Sequence, residues 1–108
     1  MGDRGASEQW VPFVYRDFYD LPRMLVFMAA GRCYLFDCSF DEGVDDYLPD
    51  YQVFELPFES LSELPTGSWE DVPVRALRRL GSLPVESLRL DDTRRRCVDT
   101  SVLLEVRP

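Results

Sequence analysis

The sequence predicts an α+β fold, in which an antiparallel sheet of four to five strands carries one or two short helices. Three observations predict it. Two strongly apolar runs, 23–29 and 32–38, flank Ala30-Gly31 and read as a tight hairpin, with Gly31 supplying a positive φ. All fourteen aromatic residues lie between Trp10 and Trp69, which assigns the sheet core to that part of the chain. The stretch "DVPVRALRRLG" sets Pro73 at a helix start and Gly81 just past its end, with arginines toward the end that the helix dipole favours for cations.

The elements follow in order. Met1 to Gln9 is polar and lacks a basic segment followed by an apolar core, so it reads as a flexible tail and not a secretory signal. A single globular domain is expected over 10–108. "WVPFVY" from Trp10 is rich in strand formers, and Pro12 suits an edge or a strand start. "RDFYDLP" is a turn, and the central hairpin spanning 23–38 follows it. The two runs of that hairpin are apolar on both faces, as in strands covered on both sides. "YQVFELPF" from Tyr51 is the next strand, with Tyr51, Val53 and Glu55 on one face. A helix is expected over 73–80, burying Val74, Ala76, Leu77 and Leu80. "PVESLRL" reads as a strand, and 100–106 as a short helix capped by Asp99, with a last strand as the alternative. The expected core includes Phe13, Leu25, Phe27, Leu35, Phe36, Val53, Phe54, Leu77, Leu80 and Leu88.

Composition removes several chemistries. The chain has no His and no Lys, and all twelve basic residues are Arg. There is then no Ser-His-Asp or Cys-His pair, no His-bound zinc, no Schiff-base lysine and no P-loop lysine. The absence of Lys, Asn and Ile beside abundant Arg points to a GC-rich, bacterial genome. Three cysteines, Cys33, Cys38 and Cys97, form no disulfide pattern and read as small buried hydrophobes. Cys33 and Cys38 fall on opposite faces of one strand. A cytoplasmic location is expected, with no membrane segment and no cofactor.

Charge is uneven. Residues 1–73 hold 4 Arg against 15 carboxylates, a net of −11, and residues 74–108 hold 8 Arg against 5, a net of +3. The total of −8 repels nucleic acid, so none is expected as a partner.

"DCSFDEGVDDYLPD", residues 37–50, carries six carboxylates and no basic residue. Asp37, Asp41, Glu42, Asp45, Asp46 and Asp50 lack the alternation and register of a calcium loop, so no metal site is assigned. They form either a solvated connection or an acidic recognition face. "YRDFYDLPR" supplies a second candidate surface: Arg16, Asp17, Tyr19 and Arg23 are of types common at binding hot spots, and both arginines are expected beside the acidic loop. Arg94 to Arg96 form a cluster that Asp91 and Asp92 can satisfy. The functional expectation is a small acidic binding protein acting on a basic protein partner, for example by neutralising it. The alternatives are a metal-assisted enzyme using Asp37, Asp41, Asp45 and Asp46, and a structural homo-oligomer such as a homodimer.

Overall fold

The computed structural model describes residues 10–19, 21–91 and 97–108. The expectations for the 1–9 tail, Asp20, Asp92 and the Arg94–Arg96 cluster lie outside these residues. Among the described residues no helix is long and apolar enough to cross a membrane.

The described residues form eight strands: β1 (Trp10–Tyr19), β2 (Leu21–Ala29), β3 (Arg32–Asp37), β4 (Phe40–Asp41), β5 (Asp46–Tyr47), β6 (Asp50–Leu56), β7 (Arg78–Pro84) and β8 (Cys97–Asp99). Six of them make one antiparallel sheet in the order β7-β6-β3-β2-β1-β8, and β4 and β5 make a two-stranded sheet. The β2–β3 hairpin stands where the sequence puts it. Ala29 pairs with Arg32, and Ala30 and Gly31 both take positive φ, 52° and 76°. That is the primed turn whose twist matches the flanking strands.

The α+β expectation is corrected. The described residues contain no α-helix, only 3-10 turns at Leu61–Glu63, Pro73–Arg75, Val85–Ser87 and Thr100–Glu105. The helix expected over 73–80 is a single turn followed by strand β7. Val74 and Leu77, placed in the core by helical spacing, are exposed. The open edge of β6 wins over local helix preference, because pairing with β7 satisfies a whole row of backbone groups. Gly81 is not a helix stop. It lies within β7, opposite Val53, at a bulge where Leu80 is the extra residue. The strand expected at 84–90 is the 3-10 turn Val85–Ser87 with one bridge, Leu90 to Val98. The helix expected over 100–106 is likewise only a 3-10 segment, Thr100–Glu105, with Asp99 at its start accepting from the Ser101 N–H at 2.9 Å.

The sheet buries both faces. Phe13, Leu25, Phe27, Phe36, Tyr51, Val53, Leu83, Val98 and Val102 pack on one. Val26, Cys33, Leu35, Leu56, Leu64, Trp69 and Val72 pack on the other. Alternation along β3 sends Cys33 and Leu35 one way and Phe36 the other, and Cys38 follows Phe36. Segment 57–77 covers the second face, and residues of 85–90 and 98–106 cover the first. The apolarity of both hairpin faces is therefore accounted for within the chain. Each fully buried Leu or Phe contributes roughly 1.5–3 kcal/mol. Of the expected core, Phe54, Leu80 and Leu88 are half-buried at the margins.

The two outer strands are drawn together by the C-terminal segment. Val11 pairs with Val98 on one side, Leu90 bridges Val98 on the other, and Ser82 of β7 bridges Arg107. The last bridge is a reciprocal pair of hydrogen bonds, 2.6 and 2.9 Å.

Candidate functional site

The acidic stretch is a hairpin inserted between two neighbouring strands. β3 ends at Asp37, β6 begins at Asp50, and Asp37 already pairs with Gln52. The chain between them leaves the sheet and returns. Phe40 pairs with Tyr47 and Asp41 with Asp46, and the Leu48 N–H donates to the Ser39 carbonyl at 2.9 Å. Short carboxylates shape the tip. Asp41 Oδ1 accepts from the Gly43 N–H at 2.8 Å, and Asp46 Oδ1 from the Tyr47 N–H at 2.7 Å. Asp45 takes a positive φ of 56°, which Asp tolerates better than most residues.

Arg23 holds the base of this hairpin. Its carbonyl accepts from the Cys38 N–H at 2.7 Å. Its guanidinium lies 4.1 Å from the centre of the Tyr47 ring, and its Nη1 donates to Cys38 Sγ at 3.7 Å. The Cys38 thiol donates in turn to the Leu48 carbonyl at 3.2 Å. Beneath it the buried Tyr51 hydroxyl donates to the Pro22 carbonyl at 2.7 Å. Tyr47 also meets Phe40 edge to face at 5.2 Å.

Burial governs the ionisation of this base. It pushes the Asp37 carboxyl above the usual carboxylate range. It raises the Cys38 thiol, an effect opposed by Arg23 and increased by Asp37 and Asp50. It raises the Tyr51 hydroxyl, with Cys38 adding and Arg23 opposing. Arg23, Cys38 and Tyr51 lie together on one face, and Asp37 lies across the strand from them.

At the tip the character changes. Glu42, Asp45 and Asp46 are exposed, Asp41 is half-exposed, and none of the six carboxylates ion-pairs with a described basic residue. Phe40 is 49% exposed and Val44 68%. The hairpin thus presents exposed apolar side chains and carboxylates without ion-pair partners among the described residues, side by side in the chain. Neither Phe40 nor Val44 stood out in the sequence. The available signal was an aromatic at each end of the acidic run, positioned to pair across a hairpin.

Arg16 is not part of this site, contrary to expectation. It pairs with Met24 on the opposite face from Arg23. Its guanidinium stacks 4.2 Å over Trp69 and donates to the carbonyls of Pro65, Thr66, Gly67 and Tyr15 at 2.8–3.3 Å. Arg16 therefore clamps the covering segment. Asp17 lies beside it with a positive φ of 57°, lining a shallow cleft with Met24, Ser68 and Glu70. Tyr19 closes β1 against Leu21, and its side chain lies outside the described residues.

The carboxylates Asp37, Asp41, Asp45 and Asp46 do not converge. Among the described residues no three His, Cys, Asp or Glu side chains gather as a group able to hold a metal. No protein-family model, curated protein or solved structure matches this chain, so every functional statement rests on its own residues.

Proposed function

We propose that this chain is a small cytoplasmic binding protein that acts by contact, not catalysis, and meets a basic protein partner through the β4–β5 hairpin. One observation carries the reading. Asp41, Glu42, Asp45 and Asp46 share one short hairpin with the exposed Phe40 and Val44, and Arg23 braces that hairpin at its base. Unpaired carboxylates steer a basic partner, and exposed apolar groups supply contact area once it arrives. The free state of all three cysteines supports a reducing compartment.

The test compares two baits in native lysate. One is the natural chain. The other carries Asp41→Asn, Glu42→Gln, Asp45→Asn and Asp46→Asn, which keep the tip hydrogen bonds and remove the charge. The expected result is a basic protein retained by the natural chain at low salt, released as salt rises, and bound by the neutral variant at a rate about tenfold lower or less. Equal retention by both baits at low salt would sink the reading.

A further inference from the structure

The described residues hold a second charged, apolar surface, opposite in sign to the hairpin and at the other end of the same strands. From Val72 to Val85 the chain has three Arg and no carboxylate. Val74 is 83% exposed and Leu77 62%. Arg75, Arg78 and Arg79 are exposed around them. Pairing fixes the location: Arg78 lies opposite Glu55, and Glu55 opposite Tyr34, so Arg32 also belongs to this end.

The positive charge there is only partly neutralised. Glu55 Oε1 serves Arg78 at 2.8 Å and Arg32 at 3.8 Å. Arg79 donates to the neutral Gln52 amide oxygen at 2.8 Å. Arg75 has no ion-pair partner among the described residues. Four guanidinium groups meet one ion-pairing carboxylate, Glu55, while Glu63, whose charge reaches the Cys33 thiol, lies toward the same end of β3.

The geometry points to a second copy of this chain as an occupant of the hairpin: the acidic tip of one molecule docks on the Arg75–Arg79 end of the next. The inference rests on the hairpin being a contact surface, and it names a partner for it. Each surface offers what the other lacks. Phe40 and Val44 stand among exposed carboxylates in the chain, and Val74 and Leu77 among exposed arginines. The hairpin cannot satisfy its own molecule's patch, because β6 alone holds the two ends about 20 Å apart. The contact joins unlike surfaces, so it builds head-to-tail chains or rings and not a two-fold dimer. A hairpin tip buries little area, which makes the association weak and salt-sensitive.

Sedimentation velocity on the full chain tests this at about 0.1–1 mM protein, a range suited to weak contacts. Two variants are compared: Glu42→Arg with Asp45→Asn on the hairpin, and Arg75→Glu with Arg79→Glu on the patch. None of these four side chains bears a core contact. The natural chain is expected to sediment faster as concentration rises at low salt, and as a monomer at high salt. Each variant alone is expected to stay monomeric. Their equimolar mixture is expected to associate again, because the basic patch of one meets the acidic hairpin of the other, and that recovery also shows that both are folded. A natural chain that stays monomeric at low salt, or variants that associate as it does, would overturn the inference. If a monomeric chain still captures a basic protein through the hairpin, the self-association inference alone falls. If the neutral-hairpin bait captures as the natural chain does, the binding reading falls too.

Discussion

Replacing Gly81 by Ala tests how the sheet is closed. The backbone of Gly81 has a φ of +151°, which L-residues rarely adopt. A Cβ built there would press on the Arg107 carbonyl, 2.6 Å from its carbon, and on Val106 Cγ1 at 3.0 Å. The Val106 methyl can give way. The Arg107 backbone cannot, because it is hydrogen-bonded in both directions to Ser82. The substitution therefore costs the two bonds of that bridge, about 1 kcal/mol each, and about 1–2 kcal/mol of backbone strain. The expected loss is roughly 3–4 kcal/mol, or a melting temperature lower by about 13–18 °C. Urea unfolding of four chains isolates the cause: natural, Gly81→Ala, a chain lacking Arg107 and Pro108, and the combination. In the shortened background only the strain of about 1–2 kcal/mol remains, so the substitution should cost about 2 kcal/mol less than in the full chain. A change below about 0.5 kcal/mol in the full chain, or equal costs in both backgrounds, would refute the close-approach argument.

Arg16→Ala should destabilise by about 1.5–3 kcal/mol, since it removes the stack on Trp69 and the bonds to three carbonyls of the covering segment. In a Trp10→Phe background Trp69 emission should shift to the red, and Arg16→Lys should not restore it, because an ammonium cannot fork to those carbonyls; unchanged emission in Arg16→Ala would contradict the clamp. Tyr51→Phe should cost about 1–2 kcal/mol by leaving the Pro22 carbonyl unpaired, and unfolding midpoints within error of the natural chain would argue otherwise. The Tyr51 hydroxyl is raised in the folded state, so its share of stability is present below its ordinary value of about 10 and lost as pH rises through the folded value. Asp37 is also raised, so protonation favours the folded chain and ionisation at neutral pH disfavours it. Asp37→Asn should therefore be more stable than the natural chain at pH 7, with the advantage vanishing below about pH 4; a variant less stable at pH 7 would reverse that sign.

The readable parts of the fold were those set by local chemistry. A two-residue turn at Ala30-Gly31 between apolar runs has few alternatives, and Phe13, Leu25, Phe27, Leu35, Phe36 and Val53 are buried as their alternation requires. The 73–84 stretch was misread because its local signals have two meanings. Pro73 suits a helix start and also the first position of a single 3-10 turn. Gly81 suits a helix end and also a bulge with another chain pressed against it. Only the vacant edge of β6, a property of distant residues, decides between them. The same limit separated Arg16 from the acidic hairpin. Strand register puts Arg16 across from Met24 and sends its side chain to the face opposite Arg23, and register is not written in the neighbouring residues. The acidity of the hairpin was legible from composition; its exposed Phe40 and Val44 depend on how far it projects from the sheet.

The edge pairing of β8 has a consequence for the order of folding. Strands β1, β2, β3, β6 and β7 form one meander, interrupted by the β4–β5 hairpin between β3 and β6, and these loops close cheaply. Val11 and Val98 meet across 87 positions. Joining them first would fix most of the chain for one short ladder, so the meander forms early and the β8 seam late. The transition state then contains the Leu25–Phe36 region and lacks the seam. Chevron plots should show Val98→Ala and Gly81→Ala speeding unfolding with little change in folding rate, and Phe36→Leu slowing folding. Under this ordering the lifetime of the native state is set at the seam, and its rate of formation at the central hairpin.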